Sequence, residues 1–274
     1  RARVRARNHV AAFIKSFYRR SDMSMLELTP DFIKEFAAYL STEAGLRNGS
    51  IWANCMWLKG VVMKAHYNGL IPRNPFIQFH ISPNVKEREY LTEDELKAVM
   101  THEFADSKLA YIRDIFIFAS FTALSFVDIQ ELTNDNIVEV NGEKWILSKR
   151  HKTKVAFQVK LLDIPLQIVE RYRPMQKDNR IFPGLNYWSI CKPLKRMIRE
   201  CGITKSISFH CSRHGFATLA LSKGMPIESV SRVLGHTNIV TTQLYAKITT
   251  QKLDNDLTMF GDKLSKTFNG ITMS

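Results

Sequence analysis

The sequence predicts a mainly helical α+β chain. A small helical bundle over residues 1–82 is followed by a larger helical domain over 83–274 that carries a three-stranded antiparallel sheet. Three observations lead there. Apolar residues recur at helical spacing through most of the chain, with capping signals at the ends of the stretches. One Asn-Gly pair, Asn141-Gly142, sits between strand-like segments. The segment from Pro75 to Glu89 has no periodicity and reads as a linker between two bodies.

The elements follow in order. Residues 2 to about 20 read as a helix with an apolar stripe of Val10, Ile14 and Phe17, Phe13 beside it, and arginines on the other faces. Thr29-Pro30-Asp31 opens a second helix: Thr29 caps, Pro30 suits the first helical position, and Asp31 suits the positive end of the helix dipole. A third stretch, 48–68, includes Trp52, Met56, Val61 and Met63 and stops at Asn68-Gly69. Past the linker, Thr92-Glu93-Asp94-Glu95 forms a capping box. Helices are expected near 92–102, 107–122 and 126–133. Strands are expected near 137–140, 144–149 and 154–161, and further helices near 165–173, 186–201, 211–223, 227–234 and 239–246. Gly224 and Gly235 stand where helix C-caps are wanted. Leu253, Leu257 and Phe260 fit one last amphipathic helix.

Composition narrows the function classes. With 274 residues, 45% of them hydrophobic, each body can build a core. No apolar run reaches the roughly 18 residues that a membrane span needs. The chain opens Arg-Ala-Arg-Val-Arg, with neither a signal peptide nor an initiator Met, which suggests a fragment of a longer protein. Cys55, Cys191, Cys201 and Cys211 form no Cys-x-x-Cys pair, so neither a zinc site nor a disulfide framework is expected, and a reducing cytoplasmic setting fits. The net charge of +13 points to a polyanion, with nucleic acid first and an anionic membrane second. Residues 1–85 hold 12 Lys and Arg against 5 Asp and Glu, so the first third is the denser positive surface.

Two stretches carry chemistry. Phe209-His210-Cys211-Ser212-Arg213-His214 places a His and an Arg three apart at a helix start, where both can face one anion. Leu234-Gly235-His236 follows about twenty residues later, and Thr241-Thr242-Gln243-Leu244-Tyr245 after that. Taken together, these stretches closely resemble the active-site boxes of the tyrosine recombinases, the phage-integrase family.

The resemblance implies a DNA-cleaving and DNA-joining enzyme that works without metal or nucleotide cofactor. Tyr245 is then the nucleophile that forms a 3′-phosphotyrosyl link. His210, Arg213 and His236 bind the phosphate and handle protons, and His214 has a structural role. The family's hairpin lysine, general acid to the leaving oxygen, falls on Lys149-Arg150-His151-Lys152-Thr153-Lys154; Lys152 is preferred, then Lys154, then Lys149. The partner implied is duplex DNA, bound by a homotetramer, with an accessory bending protein or directionality factor possible. The basic residues Arg3, Arg5, Arg7, Arg19 and Arg20 suit phosphate contacts within a helical core-binding domain. The last amphipathic helix would dock on a neighbouring subunit or pack on its own domain.

One position departs from the pattern. In Thr122-Ala123-Leu124-Ser125-Phe126-Val127-Asp128, Ser125 stands where the family's first catalytic arginine belongs. A serine cannot give a bidentate charged contact to phosphate. Arg150, two residues from Lys152 and on the same face of an extended strand, is the expected substitute, and Asp128 braces the site. The same replacement resembles that in integrases of bacterial conjugative transposons. The alternatives are a DNA-binding protein of this fold with impaired catalysis, which Ser125 supports, and a type IB topoisomerase, which the short chain argues against. A metal hydrolase built on His210, His214 and His236 lacks the accompanying carboxylates.

Overall fold

The computed structural model describes residues 2–83, 89–151, 154–176, 178–246 and 250–267. The chain divides into two compact units, Arg1–Glu87 and Arg88–Ser274.

The first unit is built on α1 (Ala2–Phe17), α2 (Pro30–Thr42) and α3 (Asn48–Tyr67). Thr29 Oγ1 accepts from Phe32 N at 3.1 Å, so α2 starts where its capping signal stands. The core forms around Phe13, whose ring meets those of Phe32, Phe36 and Tyr39 at 5.1–5.5 Å. The expected stripe on α1 shifts by part of a turn: Phe13 and Ile14 are buried, whereas Phe17, on the last helical residue, is exposed. In α3 the buried set is Ile51, Cys55, Leu58, Val62 and Ala65, and Val61 faces outward. These five follow the i, i+3, i+4 rule more closely than the large apolar residues do. A 3-10 turn at Met25–Glu27, set by a Ser24–Glu27 capping box, was not foreseen from the sequence.

The second unit wraps around α5 (Ser107–Thr122), buried on nearly every side and packed against α7 (Asp163–Tyr172), α8 (Tyr187–Glu200) and α9 (His210–Ser222). A helix that is apolar all round belongs at the centre of a core. Its buried Asp114 accepts from Arg113 Nε at 2.9 Å and from Arg171 and the Tyr172 hydroxyl at 2.7 Å each, so the carboxylate is paired as burial requires. Ahead of α5 stands α4 (Glu93–Thr101), opened by the Thr92–Glu95 capping box at 3.3 and 2.7 Å.

The sheet order is β1 (Ile137–Val140), β2 (Glu143–Lys149), β3 (Ala156–Lys160), antiparallel throughout. Asn141 and Gly142 both take positive φ, 53° and 77°, as the tight hairpin turn demands. The structure is thus the expected helical α+β fold with a small three-stranded sheet.

Three expectations need correction. α6 (Phe126–Gln130) stops short of residue 133, because Leu132 turns into the core and Thr133 opens a 3-10 turn with Asn136. α11 (Val240–Gln243) ends before Tyr245, which lies in a turn closed by Tyr245 N on Thr242 O at 3.0 Å. The strand β2 also ends at Lys149: Lys154 N bonds Arg150 O and Arg150 N bonds Val155 O, both at 2.8 Å. Arg150 therefore lies past the end of β2 rather than on the extended strand expected for it, and Lys152 lies outside the described residues. Two further helices complete the chain, α10 (Ile227–Leu234) and α12 (Thr250–Thr267).

Candidate active site

Arg213 stands in the first turn of α9 and is 9% exposed. Its guanidinium donates to Ala123 O at 2.8 Å and to Leu234 O. Ala123 is the left-handed C-cap of α5, and Leu234 is the last residue of α10. Helix C-termini leave carbonyls without partners and carry partial negative charge, so two helix ends converge to hold one cation. Burial, and then the field of Arg150, lower its pKa to about 10, which still leaves it charged at neutral pH.

Arg150 follows β2 and is 5% exposed. It donates to Asp128 Oδ2 at 2.8 Å and to Val233 O at 2.5 Å, and its guanidinium lies 4.1 Å from the Phe157 ring centre. Two consecutive carbonyls at the end of α10, Val233 and Leu234, therefore hold the two arginines. Burial lowers the pKa of Arg150, and Asp128 offsets part of that.

Gly235 makes this arrangement possible. It is the α10 C-cap at φ +63°, and a Cβ there would fall 2.9 Å from Arg150 Nε. The Leu-Gly-His stretch thus supplies a carbonyl, a gap and an imidazole in succession.

Asp128 ties three elements together. Its carboxylate accepts from Arg150, from His151 N at 3.0 Å and from the Ser125 hydroxyl at 2.8 Å. Burial pushes its pKa up, but these hydrogen bonds and the Arg150 charge together hold it below the usual aspartate value. Ser125 itself caps α6, accepting from Asp128 N at 3.4 Å. Together with His210, Arg213, Tyr187 and others it lines a cleft of about 220 Å³.

His236 follows Gly235, with Nδ1 2.8 Å from the buried Thr242 Oγ1. Burial, then the fields of Arg213, Arg150 and His210, push its pKa down to about 4. A neutral imidazole results, which with one nitrogen engaged on Thr242 can offer a single hydrogen bond from the other. The rings of His210 and His214 meet edge to face at 4.8 Å, and those of His214 and Tyr245 lie 5.1 Å apart. The half-buried Tyr245 also acts electrostatically on Arg213.

Seven of the sequence-derived positions converge in this way: Asp128, Arg150, His210, Arg213, His214, His236 and Tyr245. Lys152 lies outside the described residues. Arg3, Arg5, Arg7, Arg19 and Arg20 belong to the first unit, where Arg20 is committed to Glu27 through bonds of 2.5 and 3.2 Å. Sequence reasoning missed Thr242 as the partner of His236; its place six residues beyond the His was the only signal. It also missed Glu131, whose carboxylate sits 2.8 Å from His151 Nδ1, and the three backbone carbonyls, which no side-chain pattern reveals. Among the described residues, no group of three or more His, Cys, Asp or Glu is arranged to hold a metal ion.

Comparison with known proteins bears on the family and the fold. The phage integrase family model matches residues 89–252, and the phage integrase SAM-like domain matches residues 1–81. The chain is 32% identical over 177 residues to tyrosine recombinase XerA of Pyrococcus horikoshii, covering 60% of this chain and 58% of that protein. It is 25% identical over 229 residues to tyrosine recombinase XerC of Lactobacillus leichmannii, covering 78% and 77%. Among solved structures it shares the fold of the Tn1549 transposon integrase bound to circular intermediate DNA, with a TM-score of 0.73, 18% identity and coverage of 85% and 86%. It shares that of XerH recombinase bound to difH substrate with a TM-score of 0.68, 18% identity and coverage of 94% and 79%. The fold therefore resembles that of a transposon integrase, and the chain belongs to the phage integrase family of tyrosine recombinases.

Proposed function

We propose that this chain is a site-specific recombinase that cleaves and rejoins duplex DNA through Tyr245, and that it serves the integration and excision of a mobile element. The observation that carries the reading is the set of two buried guanidiniums, Arg213 and Arg150, held by helix-end carbonyls next to His236 and Tyr245. Such a set is fixed before any anion arrives, so it stabilises developing phosphate charge without reorganising. Proteins of this fold have been seen bound to such partners, the Tn1549 integrase with circular intermediate DNA and XerH with difH substrate, and the +13 charge suits duplex DNA.

In the proposed reaction the Tyr245 oxygen attacks a backbone phosphorus. A tyrosyl–phosphorus bond forms as the phenolic proton passes to water, the bond to the 5′ oxygen breaks, and that oxygen takes a proton from Lys152. Arg213, with Arg150 in place of the arginine missing at Ser125, neutralises the nonbridging oxygens, and His210 and His236 donate hydrogen bonds to them. Phenols ionise near a pKa of ~10, so the tyrosine depends on this positive field to attack near neutral pH. The phosphodiester's energy is kept in the covalent link. Return attack by the 5′ hydroxyl reseals the strand with no nucleotide consumed.

Assembly into a tetramer is part of the reading. Leu253, Leu257, Phe260 and Leu264 fall at i, i+4, i+7, i+11 on α12 and are 39–59% exposed. That stripe suits docking on a neighbouring subunit. The helical unit of residues 1–82, with Arg3, Arg5, Arg7 and Arg19, would bind DNA alongside the catalytic unit of 83–274. The described cysteines are unpaired, which suits a reducing bacterial cytoplasm. No described helix is long and apolar enough to cross a membrane.

The test is incubation of wild type, Tyr245→Phe and Arg150→Ala with nicked duplexes from the element's ends. Wild type should give a band resistant to denaturant and Tyr245→Phe none, while Arg150→Ala should lower the yield by roughly tenfold or more. Binding without a band from wild type would favour the impaired DNA-binding reading, with Ser125 as its cause. A full yield from Arg150→Ala would end the substitution argument.

A further inference from the structure

One exposed pair at the foot of the β2–β3 turn has no part in the chemistry above. His151 Nδ1 stands 2.8 Å from Glu131 Oε2, and both side chains are about half exposed. A carboxylate can only accept, so the imidazole N–H donates. A pair in that setting adds little to stability, because water competes for both partners. Its place in the fold is what singles it out.

Glu131 is the C-cap of α6, whose N-cap is Ser125 and whose third residue is Asp128. Asp128 holds two consecutive residues after β2: Arg150 through its guanidinium at 2.8 Å, and His151 through its backbone N at 3.0 Å. Glu131 adds the imidazole. Backbone bonds close the foot of the turn, from Arg150 N to Val155 O and from Lys154 N to Arg150 O, both at 2.8 Å. One short helix thus holds His151 by main chain and by side chain. A single peptide joins His151 to Lys152, the proton donor of the recombinase reading. Consecutive Cα atoms are about 3.8 Å apart across a trans peptide. A bond that fixes His151 therefore acts one residue from the lysine. Lysine carries its charge on a flexible four-carbon stem, so its aim depends on what holds its backbone.

We propose that Glu131 and His151 are positioning residues for proton transfer to the leaving group: the carboxylate fixes the imidazole, and the imidazole holds the turn so that Lys152 meets the 5′ oxygen. The proposal rests on the recombinase reading of the site. The step it serves is one proton transfer. As the bond from phosphorus to the 5′ oxygen breaks, the electron pair stays on oxygen, and the lysine ammonium gives that oxygen a proton and becomes a neutral amine. A misplaced acid costs rate in this step alone. A sulfur in place of the 5′ oxygen removes the need for it, since a thiol ionises near a pKa of ~8.5 and leaves as the thiolate.

The experiment measures single-turnover formation of the Tyr245 adduct on two nicked duplexes, one with the ordinary 5′ oxygen and one with sulfur bridging at that position. Glu131→Ala and His151→Ala should each be about tenfold slower than wild type on the oxygen duplex and equal to it on the sulfur duplex. Glu131→Gln keeps an acceptor for the imidazole, and His151→Asn keeps a donor near the place of Nδ1; each should retain most of the oxygen rate. In a Lys152→Ala background, Glu131→Ala should slow the oxygen duplex no further, because the group it positions is gone. Equal slowing on both duplexes, an unchanged oxygen rate in Glu131→Ala, or a further loss in the Lys152→Ala background would each overturn the positioning role while the wild-type adduct leaves the recombinase reading standing. No adduct from wild type on either duplex would sink that reading and the proposal with it.

Discussion

Replacing Gly235 by alanine tests whether the two-arginine site is built as described. Two costs follow from its position. At φ +63° the backbone is left-handed, which costs an L residue about 1–2 kcal/mol. The new Cβ would also sit 2.9 Å from Arg150 Nε and 3.1 Å from its Cγ. Arg150 cannot swing away freely, because Asp128 and Val233 O hold it on two sides. Overpacking of this kind costs about 1–3 kcal/mol. The sum is about 2–5 kcal/mol. Chemical denaturation of wild type, Gly235→Ala, Arg150→Ala and the double variant separates the two parts. In the Arg150→Ala background the clash is gone and only the backbone cost of about 1–2 kcal/mol should remain. A coupling of about 1–3 kcal/mol between the two sites is therefore expected. Equal costs of Gly235→Ala in both backgrounds would refute the packing of Arg150 over Gly235.

Other perturbations have equally definite outcomes. Asp128→Asn removes one partner of a buried ion pair whose side chains are 5–6% exposed, and should cost about 3–5 kcal/mol in the same denaturation assay, with loss of DNA cleavage. His236, with a folded pKa of about 4 against an unfolded value near 6.5, takes up its proton more readily when unfolded. Stability should therefore fall as pH drops through that window, and in His236→Gln this part of the slope should vanish. Asp128, held below its usual value, gives stability present above about pH 4 and lost at lower pH as it is protonated. Leu257→Asp with Phe260→Asp on α12 should abolish assembly of subunits on DNA, seen by light scattering, while single-subunit binding persists.

Much of this was legible in the sequence because the signals are local. Thr29, Thr92 and Asn141-Gly142 each fix a turn or cap from within four residues. The sheet followed from the Asn141-Gly142 turn between strand-like segments, and the helices from apolar residues at helical spacing. The convergence of His210, Arg213, His236 and Tyr245 came from the spacing of the family's boxes. What escaped was tertiary. The strand position assigned to Arg150 failed because β2 ends at Lys149 and the backbone of Arg150 bonds to Lys154 and Val155 instead. Phe17 was expected inside, but α1 ends at it and Phe13 fills the core instead. The role of Gly235 as a passage for a distant arginine could not be read from its motif, since residue 150 is 85 positions away.

The central claim is that Tyr245 carries the broken strand. The most direct measurement is to trap the denaturant-resistant adduct on a nicked duplex, digest protein and DNA, and locate the nucleotide on the peptide by mass spectrometry. The account predicts a 3′-linked nucleotide on the phenolic oxygen of Tyr245 and none on any other residue. A nucleotide attached elsewhere, or through a 5′ phosphate, would contradict it.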